Sequence, residues 1–224
     1  MPLQNCRRIK PATWRGGLLL VVMNRAEAVF ALGSPGAELD GVEGIVYDTD
    51  SWELTPVVER RTLPAVTGEI ARLAHGRGLK LISAPGIGLL RTLRPGIADV
   101  FSPSGFRAFL ELQLIGALAT RSDVLVLQSQ GLSADAVNFK WFVQEAAGQA
   151  RRANPRVEVI ALLATTVRGH QVSGSQLSQL VSMTESIVDG YWLHISAPSL
   201  RCPSCGPANP EVGIDLFRRL AGSD

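Results

Sequence analysis

The chain has 224 residues, a length that suits one α/β domain and leaves little room for a second. Apolar residues make up 46% and the mean hydropathy is +0.17, so a sizeable core can be buried and general disorder is excluded. With 22 basic against 20 acidic residues the net charge is only +2, which argues against a nucleic-acid-coating face; no nucleic-acid partner is expected.

At the start of the chain, "RRIKPATWRGGLLLVVM" puts charges before an apolar run at 18–23. That run is too short for a signal peptide's apolar region and lacks a small-residue cleavage site. No stretch approaches the roughly 20 apolar residues of a spanning helix, so a cytoplasmic protein with no membrane partner is expected. The run itself reads as the first strand. Further strands are expected at "GIVYD" (44–48), "LKLISAP" (79–85), "DVLVLQSQ" (123–130), "VEVIALLATT" (157–166) and "YWLHIS" (191–196), with a weaker one at "ADVF" (98–101). Most are near-continuous in apolar character, the mark of strands covered on both faces.

Helical spacing fills the gaps. Leu63, Val66, Ile70 and Leu73 share one face, with Pro64 in the first turn and "HGRG" at the close. Phe106, Phe109, Leu110, Leu114 and Ala117 share a second. Phe139, Phe142, Val143, Ala146 and Ala150 form a third, started by Ser133 and Asp135 and stopped before Asn154-Pro155. Leu177, Leu180, Val181 and Thr184 form a fourth, and Asn209-Pro210 opens a last helix. An irregular loop, "SLRCPSCGPAN" (199–209), precedes it. Strand–helix alternation across residues 1–224, without a linker, predicts one (β/α) domain with a parallel sheet.

A closed barrel and an open doubly wound sheet give the same alternation. Polar side chains decide between them. Asp48 ends its strand, Thr165 sits late in the long 157–166 run, Gln128 and Gln130 share a strand face, and so do Trp192 and His194. Polar groups at the C-terminal ends of several strands are what a barrel's catalytic mouth requires. "APGIGLL" (84–90) lacks the third glycine of a dinucleotide-binding turn and no acid ends a following strand, so no cofactor is expected. The reading is therefore a small TIM-like (β/α) barrel, with an open doubly wound parallel sheet as the alternative.

"YDTDSWE" after one strand and "YWLH" on a late one resemble the layout of (β/α)-barrel glycoside hydrolases. That resemblance implies carboxylates at strand ends and aromatic platforms beneath a sugar.

The candidate chemistry follows from the residues themselves. Asp48, Asp50 and Glu53 offer carboxylates for general acid and base work, and Asp48 at the strand end is the preferred one, with Asp50 read as a loop or capping residue. Aromatic neighbours are expected to raise the pKa of Asp48. His194 is the His placed within a strand and serves as a second acid/base group near neutral pH. The catalytic set is thus Asp48, His194 and Glu53. Gln128, Gln130 and Thr165 would orient a ligand, and Tyr47 and Trp192 would line its pocket. Arg168, in the loop "RGHQVSG", could contact an anion. "CPSCG" is half a zinc knuckle: Cys202 and Cys205 could hold a structural zinc only if Cys6 or a distant His joined them, and no catalytic metal is expected.

The expected function is acid/base catalysis on a small polar or sugar-like molecule, glycosidase-like. A lyase, cyclase or isomerase of small-molecule, secondary-metabolite biosynthesis would use the same groups, and a barrel that binds without catalysing is the third reading.

Overall fold

A computed structural model describes residues 17–33, 39–195, 197 and 207–222. Cys6, Cys202 and Cys205 lie outside the described residues, as does most of the 199–209 loop. In chain order the elements are β1 (Leu18–Val22), α1 (Arg25–Gly33), β2 (Val42–Thr49), α2 (Val57–Arg61), α3 (Leu63–His75), β3 (Lys80–Pro85), α4 (Leu90–Leu93), α5 (Pro103–Glu111), α6 (Leu114–Ala119), β4 (Val124–Leu127), α7 (Ala136–Ala153), β5 (Glu158–Ala164), β6 (Thr166–Val167), β7 (His170–Gln171), α8 (Gly174–Thr184), β8 (Gly190–His194) and α9 (Pro210–Leu220).

Six strands form one sheet in the order β1-β2-β3-β4-β5-β8, every pair parallel, while β6 and β7 form a separate antiparallel hairpin. The sheet is curled into a half-barrel and left open between β1 and β8. This corrects the closed TIM-like barrel expected from the sequence and favours the open alternative. Closure of a barrel of this kind takes eight strands, and two of the expected apolar stretches do not supply them. "ADVF" is a turn in which Asp99 accepts the Phe101 amide and Ser102 caps α5. The end of the 157–166 run leaves the main sheet after Ala164 and enters the hairpin.

The strands follow one another in sequence order, with no reversal, and their two faces meet different partners. Val22, Ile45, Tyr47, Leu81, Leu125, Leu127, Val159, Ala161 and Leu163 join one continuous core with the buried faces of the helices. The alternate residues Val46, Ile82, Ala84, Val124, Val126 and Leu162 form a second, smaller apolar cluster on the concave face. Period-two alternation sorts one strand's residues between these layers. Because both sets are apolar, the strands read as continuous hydrophobic runs.

Local chemistry sets the helix boundaries. Asp135 accepts the Asn138 amide at the start of α7, and Ser173 with Gln176 makes a full capping box on α8. The helix expected across Phe106–Ala117 is two helices, because Gln113 adopts the left-handed conformation at φ 54° between α5 and α6.

Candidate active site

The C-terminal ends of β2, β3 and β4 build a polar rim. On β2, Ile45 and Tyr47 turn to the helices, so Val46 and Asp48 turn to the concave face. Asp48 pairs in register with Ala84 of β3. One residue past the end of β4, Gln128 donates from Nε2 to Asp48 Oδ1 at 3.0 Å and to the Ala84 carbonyl at 2.9 Å. Both partners are acceptors, so the amide can present only its NH₂ there. Gln130 Nε2 then donates to Gln128 Oε1 at 3.3 Å. Gln130 stands on a 3-10 turn rather than on the strand as expected, and its Oε1 is buried without a hydrogen-bond partner. A carboxylate and two amides thus form one hydrogen-bonded chain across the rim.

Asp50 follows two residues after Asp48, just past the end of β2. The Gly86 amide donates to the Thr49 carbonyl at 2.6 Å, which extends the β2–β3 ladder by a residue and sets Asp50 over the "PGIG" turn. The glycines there have a specific cause. A Cβ on Gly86 would lie 2.5 Å from the Asp50 carboxyl carbon, and one on Gly88 would lie 2.0 Å from Asp50 Oδ1. Burial pushes the Asp50 pKa above its ordinary value, opposed in part by the Ser51 amide, which donates to Oδ1 at 2.6 Å, and by the charges of Arg91 and Arg60.

The remainder of "YDTDSWELTP" is a pinned turn. Arg60 donates to the Thr55 carbonyl at 2.7 Å, to the Trp52 carbonyl at 2.6 Å and to Thr92 Oγ1 at 3.1 Å. Trp52 donates to Thr55 Oγ1, which itself donates to the Met23 carbonyl. Glu53 is exposed on this turn. Tyr47 is buried on the helix side and donates to Glu59 Oε2 at 3.0 Å; burial, then the Glu59 carboxylate, push its pKa far up. Its ring faces away from the rim.

The other expected residues are spread more widely. Thr165 is fully buried just past β5, where its amide donates to the His194 carbonyl at 3.1 Å and its Oγ1 has no partner. His194 ends β8, on the far side of the sheet from β2, and is exposed in part, although loss of water around the ring holds its pKa below the ordinary histidine value. Trp192, on the same face, lines a different feature. A cavity of about 830 Å³ covers the N-terminal half of the concave face, among Leu19, Ile82, Val124, Ile160, Trp192 and Phe217. The buried side chains of Val46, Ala84 and Leu162 lie between that cavity and the rim.

Asp50 and Arg91 are the rim residues that sequence reasoning undervalued. The available signal was "APGIG": two glycines after a strand, without a phosphate-binding motif, make room for a neighbour's side chain. Among the described residues no three His, Cys, Asp or Glu side chains gather as a metal site, and no helix is long and apolar enough to cross a membrane. No protein-family model matches the chain, and comparison with curated proteins finds no match.

Proposed function

We propose that the chain is an enzyme that moves protons on a small polar or sugar-like molecule held at the C-terminal rim of its curled sheet. The observation that carries this reading is the Asp48–Gln128–Gln130 hydrogen-bonded chain, with the half-buried carboxyl of Asp50 two residues further along the sequence. Two carboxyl groups in unlike surroundings divide acid and base roles between them. Asp48, fixed by the Gln128 amide, is the base. Asp50, whose burial favours its neutral form, is the proton donor. They stand two residues apart in the chain, roughly 6.6 Å between Cα atoms at about 3.3 Å per extended residue. Gln130 offers the ligand an acceptor in Oε1.

Hydrolysis, elimination and isomerisation all draw on such a pair. His194 and Glu53 stand apart from the pair and take no part in the proposed proton transfer.

The test is Asp48→Asn, which keeps shape and hydrogen-bonding reach but exchanges no proton. On the full chain it should cut turnover by about 10²–10⁴, the usual contribution of a general acid or base, with the melting temperature little changed. A stable Asp48→Asn protein with full activity would overturn the proposal.

A further inference from the structure

Two arginines, one on helix α4 and one on the β6–β7 hairpin, each pack against the ring of Phe101. The Arg91 guanidinium carbon lies 5.3 Å from the Phe101 ring centroid, and that of Arg168 lies 6.0 Å from it. Arg91 follows β3 in α4, next to Asp50, and donates from Nη1 to Ser51 Oγ at 3.1 Å. Arg168 arrives on the β6–β7 hairpin, whose two-residue turn is Arg168-Gly169.

That turn carries strain. Both of its residues have positive φ, 49° at Arg168 and 83° at Gly169. The first position favours Asn, Asp or Gly, and a long side chain there costs free energy that the rest of the structure must offset. Asp99 is the partner that holds it, through contacts of 3.2 and 3.3 Å from Arg168 Nη2 to both carboxylate oxygens, and Asp99 is itself fixed by the Phe101 amide at 3.0 Å. A non-glycine residue kept in a left-handed turn, with its guanidinium aimed at a shared ring, points to function rather than to chain reversal alone.

Asp99 offsets Arg168, and Arg91 stands near the half-buried carboxyl of Asp50, with Ser51 as its hydrogen-bond partner.

We propose that Arg91 and Arg168, spaced by Phe101, form a subsite for an anionic group, a carboxylate or a phosphate, on the molecule whose protons Asp48 and Asp50 move; this rests on the acid/base reading above. Guanidinium groups suit both anions because they present planar paired donors. The fixed ring keeps the two cations in place before the ligand arrives, which lowers the ordering cost of binding.

The test is calorimetric titration of the full chain at low ionic strength with two probes, inorganic phosphate and succinate, so that the two anion chemistries are read separately. One equivalent of at least one probe should bind, more weakly as salt is added. Arg91→Gln and Arg168→Gln should each weaken it at least tenfold, while Arg121→Gln, an exposed arginine on another face, should leave it unchanged. Asp48→Asn should retain the binding, so an inactive but anion-binding Asp48→Asn protein separates this inference from the catalytic one. Lack of saturable binding by either probe, or binding that Arg121→Gln weakens as much as Arg91→Gln does, would overturn the proposal.

Discussion

Asp50 shows how one side chain's surroundings set its chemistry. Its half-buried carboxyl packs against two glycines and its pKa is raised, so the folded state holds its proton more tightly than the unfolded chain does. Stability from such a group is complete below the unfolded pKa, about 3.9 for Asp, and is lost as pH rises through the folded value. Asp50→Asn cannot ionise, so urea denaturation across the acidic range should show the wild type losing stability relative to the variant as pH rises. Parallel pH dependences would sink this account. His194 runs the other way: its lowered pKa means that the fold favours the neutral ring, a contribution present above the unfolded value of about 6.5 and lost as pH falls through the lower folded value. A proton NMR titration should place its midpoint below the ordinary histidine value. The glycine contacts give a further check. Gly88→Ala forces a methyl into the Asp50 carboxylate, so it should destabilise by about 1–3 kcal/mol, as overpacking does. Asp50→Ala in the same chain should recover much of that loss, because the closest contact is then gone and the hydroxyl of Ser51, 2.8 Å from the added methyl, is what remains.

At the scale of elements, capping and backbone strain decide where helices begin and end. The start of α7 at Asp135 and its stop at Asn154 were legible, since an acceptor at the cap and an Asn-Pro pair are local signals. The break between α5 and α6 was not. The apolar spacing from Phe106 to Ala117 is continuous, and the left-handed Gln113 leaves no mark on it. Gln113→Gly should remove the cost of that conformation, partly offset by loss of the Gln113 side-chain bond to the Leu110 carbonyl. A net gain of up to about 1 kcal/mol in chemical denaturation is expected. Ser173→Ala, which breaks the α8 capping box, should cost about 1 kcal/mol by the same measurement.

Across the whole molecule, the open sheet makes stability uneven. β3 and β4 are flanked by strands on both sides and are buried almost throughout, whereas among the described residues β1 and β8 each have a strand on one side, and Leu19, Val21 and Trp192 are exposed. Edge strands open locally at lower free energy than central ones. Amide hydrogen exchange should therefore be slowest in β3 and β4 and faster by orders of magnitude in β1 and β8. Equal protection across all six strands would show that the two edges are covered by another surface in solution.

The sequence by itself determined the class of fold and the identity of most elements. Apolar runs of strand length separated by helical spacing leave little choice but a parallel sheet with helices against it, because each run must be buried on two faces. It also placed Asp48 at a strand end, since alternation along β2 follows from the residue order. What it could not determine was closure. The same alternation describes a wall that meets itself and one that does not, and "ADVF" has strand composition but forms a turn because Asp99 and Ser102 bond their own backbone. The partners of the rim were equally hidden. Gln128 reaches Asp48 across 80 residues, Asp50 fits only over Gly86 and Gly88, and Arg91 and Arg168 share a ring that neither adjoins in sequence. Those pairings arise where strands laid side by side bring distant loops to one edge, so only the tertiary structure decided them.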